Sequence, residues 1–503
     1  MTLILLPILL GIPALGALIL GFLPARTGAA WMNVAFSAAT LAVAGVFVSG
    51  PLPPPTLFVL VDDLNRLMIA LIAFVGFTTS LFSVGYLQRE IDSGHLKGFP
   101  ARLYHPLFQI FVGMMLLAVV SNNLGVLWVA MEGGTLATVF LVASAQTDQA
   151  IRAAWKYLML CSVGIALALL GTTLIYFAAQ PVLGEGLNAM AWSGLQEVAA
   201  DLNPALMGMA FVFLLVGYGT KIGLVPLHAW LPDAHGEGPA PVSAMLSGLF
   251  LGVGLVALLR IKTLMGPLVS PLIPGPAMMA LGLVSLAFSG FMLYRRRYYK
   301  FGLAYSSIEH MGIATFALGL GGPLAAFAGL LHLLAHGLIK ASLFSIGGVV
   351  VQIKGVQDMK ALRDLTTTHP MVGWALVAGF LALMGLPPFG LFLSELLLLV
   401  AVVTVQPWLA VVLALGILVA TGALLLFLQR MAFGKEPGLP GLDAGAAIEL
   451  PAVGKPVEWS KASLCVFLMI PVGLNLAAAV ALGLGLLGPV GDWLVRAAKV
   501  VGS

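Results

Sequence analysis

Fourteen apolar runs alternate with short polar breaks along this chain, at roughly 2–22, 29–49, 64–87, 106–121, 124–145, 153–179, 205–230, 240–260, 271–294, 300–320, 323–350, 371–404, 406–430 and 462–488. A helix needs about 20 apolar residues to cross the hydrocarbon core of a bilayer, and most of these runs supply them. A chain in lipid must satisfy every backbone polar group itself, which leaves helices or a closed barrel. A barrel would show segments of about ten residues with alternating polarity, whereas these runs are continuous. The pattern predicts an all-α polytopic membrane protein of about 14 transmembrane helices. The first run, opening MTLILLPILL, has no basic stretch and no small-residue cleavage site, so it reads as a retained helix.

Two long runs are interrupted. The seventh reads GYGTKIGLVPLHAWLPDAH, with Pro226 and Pro232 following Lys221. The twelfth reads LMGLPPFGLFLSELLLLV, with Pro387 and Pro388 preceding Glu395. Proline removes a backbone donor and clashes with the preceding turn, so helices 7 and 12 should be broken near mid-membrane. Their separation by five runs points to two inverted five-helix repeats with ion sites at the breaks. On this reading residues 1–503 form a single integral membrane domain. Residues 1–105 hold helices 1–3, 106–260 the first repeat (helices 4–8) and 271–430 the second (helices 9–13). Residues 431–503 hold a polar loop and helix 14.

Composition agrees with the pattern. The chain is 60% apolar and 9% charged, far from the roughly 25% charged residues of a soluble domain. The two cysteines, Cys161 and Cys465, stand in separate apolar runs, which excludes a disulfide framework or a CxxC metal site. Lysine and arginine sort by side. With the N-terminus outside, the inner loops hold seventeen of the 24, including Arg26, Arg89, Lys97, Arg102, Arg152, Lys156, Arg295, Arg296, Arg297, Lys300 and the group from Lys354 to Lys461. The outer segments hold only Arg66, Arg260, Lys262, Arg496 and Lys499. The positive-inside rule then places both termini outside. The net charge of +4 reflects this topology, and no basic patch points to nucleic acid.

Five ionisable residues fall within runs: Glu132, Lys221, Glu309, Lys340 and Glu395. A charge at a helix centre costs roughly 2.5–3.5 kcal/mol on insertion scales, so each needs a reason. Burial penalises the charged form, and a group poised between its two states can take up and release protons. Glu132 stands beside Gly133 and Gly134, which let a neighbouring helix approach closely. It could instead make a purely structural ion pair with Lys221, and Lys221 could snorkel to the interface. His332, His336 and Lys340 recur every four residues and stack along one helix face, drifting about 40° per step. This forms a ladder of proton-exchanging groups. The histidine pair also admits a metal or haem reading, for which no further ligands are visible, and plain helix packing. Ser394 precedes Glu395 and can orient its carboxyl. Glu309 and His310 are adjacent, so they point about 100° apart and should not both face one path. His228, Asp233, His235 and Glu237 cluster beyond the seventh-run break, as a mouth or as a solvated loop.

Together WVAMEGG, GYGTKIGLVPLHAWLPDAHGEGPAPVSA, AYSSIEHMG, HLLAHGLIKASLF and GLPPFGLFLSE resemble the antiporter-like membrane subunits of respiratory complex I. That family also includes the large subunits of multisubunit sodium/proton antiporters and the proton-conducting subunits of membrane-bound hydrogenases. AAWKYLMLCSVGIALALLGT and AYSSIEHMG are most similar to component F of hydrogenase-4. The resemblance covers about residues 60–430 and implies a horizontal line of buried glutamate, lysine and histidine at mid-membrane depth. Residue by residue, Glu132 matches the family's fifth-helix glutamate, Lys221 its seventh-helix lysine, and His228 the histidine after that break. Lys340 matches the relay lysine of the eleventh helix, with His332 and His336 beside it, and Glu395 the exit residue of the twelfth. Asp233, His235, Glu309 and His310 are further relay candidates. Gly252 stands where many relatives carry a central lysine, so a link between the two halves would need His228, Ser247 or water.

The resemblance thus implies a proton-translocating subunit of a complex I-like or hydrogenase-like complex in the inner (cytoplasmic) membrane of a bacterium or archaeon. Partner subunits would drive it, since the chain has no nucleotide, flavin or iron–sulfur motif; no cofactor and no metal are expected in it. Three rivals stay open: a sodium/proton antiporter subunit, a proton-coupled partner for inorganic-carbon uptake, and a non-conducting scaffold.

Overall fold

The structure, a computed structural model, describes residues 2–265, 273–359, 361–434, 462–486 and 488–502. Most of the polar segment predicted over 431–461, from residue 435 on, lies outside the described residues, as do Lys360 and the first two residues of the ninth run. Among the described residues every regular element is a helix, with no strand ladder. The first six runs are α1 (Thr2–Phe22), α2 (Thr27–Ser49), α3 (Asp63–Asp92), α4 (Gly98–Val120), α5 (Leu124–Val142) and α6 (Asp148–Leu183). A short α7 (Trp192–Glu197) follows in the loop.

The seventh run is broken as its prolines predict. α8 (Pro204–Ile222) stops at Gly223, whose φ of +81° is the left-handed conformation in which glycine ends helices. The chain resumes as α9 (Leu231–Glu237). The eighth run is α10 (Ala240–Met245) and α11 (Leu251–Leu264), joined by a π turn at Leu246–Phe250 that nothing in the sequence pattern signals. Then come α12 (Gly275–Tyr294), α13 (Tyr299–Leu320) and α14 (Pro323–Lys354). A single turn, α15 (Leu365–Thr368), precedes the second broken run, where α16 (Pro370–Leu383) and α17 (Gly390–Val405) flank Pro387 and Pro388. α18 (Pro407–Leu428), α19 (Ala462–Gly483) and α20 (Gly488–Val501) complete the order.

Among the described residues, twelve helical stretches are long and apolar enough to cross a membrane. The less apolar α13 and the shorter pair α16 and α17 occupy the tenth and twelfth predicted runs. The outer faces carry large apolar side chains, such as Trp155, Met159 and Val163 on α6 and Trp408, Val411 and Leu418 on α18. A surface of this kind suits lipid and would be insoluble in water. The chain is a multi-pass membrane protein.

The spans α10–α11 and α14 lie wholly inside the bundle. Their backbones touch where Gly248 meets Gly337. A Cβ on Gly248 would sit 2.7 Å from the Gly337 carbonyl, and one on Gly337 would sit 2.5 Å from the Gly248 carbonyl. Only small residues permit so close a crossing.

Charged residues gather at the two ends. At one end, Asp62 caps α3 by accepting from the Asn65 N–H (3.0 Å) and also takes Arg260 Nη1 (2.6 Å). The Arg260 guanidinium stacks on Trp192, 4.7 Å from its ring centre. Asp63 holds Arg66 and Arg496, and Lys262 donates to the Val501 carbonyl. Four of the five cations assigned to one side of the membrane therefore meet. At the other end Lys156 pairs with Asp233 (2.7 Å), and Lys300 donates to the Gly236 and Gly238 carbonyls.

The final helix was not expected. α20 presents Leu494, Ala497, Ala498 and Val501 inward while Arg496 reaches out to Asp63. This i, i+3, i+4, i+7 spacing is the signal that marks it as amphipathic.

Candidate functional site in the buried core

Two groups of buried polar side chains flank α10–α11. In the first, Lys221 occupies the last turn of α8, just before the break, and is fully buried. Snorkelling is thereby excluded. Its ammonium donates to the Thr135 hydroxyl and to Glu132 Oε2 (3.4 Å), both on α5. Thr138, one turn along α5, shares a hydrogen bond with the Tyr157 hydroxyl (2.8 Å), and the Tyr157 ring stacks on Trp230 at 4.5 Å. Trp230 in turn donates to the Thr220 carbonyl, which pins the segment after the break against the end of α8.

The second group is larger. Lys340 on α14 is fully buried and donates to the Leu303 carbonyl (2.7 Å) and to the Ser306 hydroxyl. His336 and His332 follow at one-turn intervals, both buried. His310 on α13 faces them: its Nδ1 lies 3.1 Å from His332 Nε2, and its ring centre is 5.5 Å from that of His336. His332 Nδ1 meets the Ser394 hydroxyl on α17 (3.0 Å). Glu395 follows, its carboxylate lying against Gly385 in the α16–α17 break. With 9% of its surface exposed, it is the most open member of the group.

Glu309 and His310, expected from their spacing not to face one path, are both buried. Their 100° divergence matters only for a helix with one buried face, and α13 is enclosed on every side from Gly302 to Gly319. His310 faces the α14 histidines, while Glu309 lies within electrostatic reach of Glu395 and Lys340.

The residues after the seventh-run break do not form one cluster either. Asp233 and His235 sit two apart on a helix and so face opposite ways. Asp233 turns to Lys156 at the surface, while His235 is fully buried against Phe344. Neither ring nitrogen of His235 has a hydrogen-bond partner among the described residues. Glu237 ends α9, half-buried and within electrostatic reach of Lys300. His228 rests edge-on against Phe288 at 4.8 Å.

Gly252 packs against α14, and a Cβ there would meet the tip of the Leu333 side chain at 2.9 Å, so a longer side chain would need Leu333 to shift. Ser247 connects instead to the second group. Its hydroxyl is 2.6 Å from that of Ser307, which donates to the same Leu303 carbonyl that receives Lys340. The first group reaches α11 at Gly254, beside the Lys221 Cβ. Seven residues separate Ser247 from Gly254, about 10 Å of helix rise.

The cysteines are both free, Cys161 buried within α6 and Cys465 half-buried in α19. Among the described residues, a metal would find three ligands together only in the second group, where His310, His332 and Glu395 each offer one atom within 4.8 Å of the others.

A bundle of membrane helices, broken beside a buried lysine and beside a buried carboxylate and carrying a histidine–lysine row between them, defines an antiporter-like membrane subunit. The chain belongs to the NADH:quinone oxidoreductase/Mrp antiporter transmembrane family, whose model matches residues 121–421. It is 48% identical over 426 residues to the hydrogenase-4 component F homolog of Methylacidiphilum infernorum, covering 85% of this chain and 89% of that protein. It is 31% identical over 374 residues to NADH-quinone oxidoreductase subunit N of Desulforudis audaxviator, covering 72% and 70%. A chain of the Mrp complex from Dietzia sp. DQ12-45-1b has the same fold, with a TM-score of 0.81 and 21% identity over 99% of this chain and 97% of that one.

Proposed function

We propose that this chain moves protons across the inner (cytoplasmic) membrane of a bacterium or archaeon as one subunit of a complex I-like or hydrogenase-like assembly. The observation that carries the reading is the row from Lys340 past His336, His310 and His332 to Ser394 and Glu395, buried and reaching the α16–α17 break. Each member exchanges a proton or passes one through a hydroxyl; His310, His332 and Ser394 stand at hydrogen-bond distance in turn, and the His336 ring faces that of His310 at 5.5 Å. On this reading Lys221, Glu132 and His228 form the equivalent half-path in the first repeat (106–260), and the second group belongs to the repeat at 271–430. His235, within electrostatic reach of His336, and Ser247, bonded to Ser307, extend the second group, and water would have to bridge the remaining gap along α10–α11. Glu132 gates by its attraction for Lys221. The clustering of Arg66, Arg260, Lys262 and Arg496 at one end supports an outside location for both termini.

Moving one charge against 100 mV costs about 2.3 kcal/mol, so partner subunits must supply the energy. Protons are favoured over sodium because imidazole and ammonium dominate the core, whereas a hard cation wants several oxygen ligands. The 10 Å interval on α10–α11 is what favours the scaffold reading. Proton flux in liposomes holding the purified complex separates the two. Lys340→Ala should assemble normally and lose flux, and flux should persist in sodium-free medium. Undiminished flux in Lys340→Ala overturns the relay. Mass spectrometry of the same preparation tells a redox assembly from a carbon-uptake partner.

A further inference from the structure

The three groups at the outlet end of the row have the disposition of a metal site. His310 from α13, His332 from α14 and Glu395 from α17 each bring one ligand atom within 4.8 Å of the others. The pair His310 Nδ1 and His332 Nε2 stand 3.1 Å apart. Two nitrogens bound to one zinc at about 2.0–2.1 Å in a tetrahedron would be about 3.3 Å apart, so this pair needs almost no movement. Ser394 already holds the other nitrogen of His332, at 3.0 Å, which fixes the ring and leaves Nε2 facing the centre.

Charge and access agree. A divalent ion in a dry core needs two negative charges near it. Glu395 supplies one, and Glu309, buried and within electrostatic reach of Glu395, supplies the second. Glu309 Oε2 lacks a hydrogen-bond partner among the described residues and is left to a water or ion beside the site. The nearest exposed backbone is the α16–α17 break, where Leu386, Pro387 and Pro388 are exposed and the Glu395 carboxylate lies against Gly385. Two imidazoles and one carboxylate select ions of the zinc class over sodium, magnesium or calcium. Three protein ligands also leave a fourth position for water.

We propose that His310, His332 and Glu395 bind one divalent transition-metal ion of the zinc class, and that the bound ion stops proton transfer by withdrawing His332 and Glu395 from the path. The binding stands on geometry alone; the block rests on the proton-path reading.

Cobalt(II) serves as the probe, because its visible spectrum reports coordination where zinc is silent. Chelator-treated complex carrying the full chain should develop the bands of four-coordinate cobalt, displaced by zinc and unaffected by magnesium or sodium. His310→Gln and His332→Ala should each remove those bands. His369→Ala, at the surface end of α16, should keep them. Size-exclusion profiles and thermal melts identify any variant that fails to fold, and two variants at separate helices guard against that outcome. Absence of the bands in the wild type, or their persistence in both site variants, overturns the site. Zinc should also abolish flux in wild-type liposomes; bands with zinc-insensitive flux overturn the block. Bands with no flux even without zinc would instead count against the proton path and leave the site standing.

Discussion

Exchanging Glu132 for glutamine removes one charge while preserving shape, and the geometry sets how much this should matter. Glu132 Oε2 lies 3.4 Å from Lys221 Nζ. At an effective dielectric constant of about 20, unit charges at that separation attract by about 5 kcal/mol. The Glu132 side chain is 19% exposed, so water screens part of this. Even one third of the attraction, about 1.6 kcal/mol, changes any equilibrium that involves the Lys221 charge by more than tenfold. Proton flux through reconstituted Glu132→Gln complex should therefore fall by at least an order of magnitude. Assembly should survive, because the amide oxygen can still accept from Lys221 and the Thr135 hydroxyl remains in place. Glu132→Asp, which keeps the charge at a longer reach, should recover part of the flux. The assay is dye-reported acidification of liposomes, with subunit content checked on the same sample. Wild-type flux in an intact Glu132→Gln complex would refute the gating argument.

Substitutions at two further positions probe the frame around the site. Gly337→Ala would press a methyl to 2.5 Å from the Gly248 carbonyl and 3.1 Å from Leu71, and overpacking of this kind costs about 1–3 kcal/mol. Its thermal transition in detergent should fall by several degrees, and an unchanged transition would mean that the two helices are not in contact. Arg260→Ala should cost about 3–5 kcal/mol, since it leaves the Asp62 carboxylate without its partner and uncovers Trp192. Arg260→Lys, which keeps the charge but not the fork, should cost less; equal losses would show that only the shape of the side chain matters.

The apolar runs and the proline pairs made the bundle legible, because length in lipid and the missing amide of proline are properties of the residues themselves. The inward ladder of His332, His336 and Lys340 was legible for the same reason: its spacing equals one turn. What failed depended on neighbours. The separation of Glu309 from His310 by angle presumed one buried face, whereas α13 is surrounded. The grouping of Asp233 with His235 presumed a loop, where α9 turns them apart. The π turn at Leu246–Phe250 depends on how α10–α11 fits between α13 and α14, and the sequence pattern carries no mark of it. The approach of His310 and Glu395 to His332 joins residues from three helices, a meeting that periodicity along one helix cannot reveal. By contrast α20 was visible in principle, in the spacing of Leu494, Ala497, Ala498 and Val501.

The Gly248–Gly337 contact turns α14 into a lever. Slipping by one turn would drive Leu333 or Ala341 into the Gly248 carbonyl, so the contact opposes sliding, whereas a tilt about the crossing would preserve it. His332 lies five residues to one side of this fulcrum and Lys340 three to the other, arms of about 7.5 and 4.5 Å. A tilt of about 10° would swing them about 1.3 and 0.8 Å in opposite directions. Displacements of that size make or break a hydrogen bond. One rocking motion would then shift Lys340 against Leu303 and His332 against Ser394 in opposite senses, a see-saw that couples the two contacts.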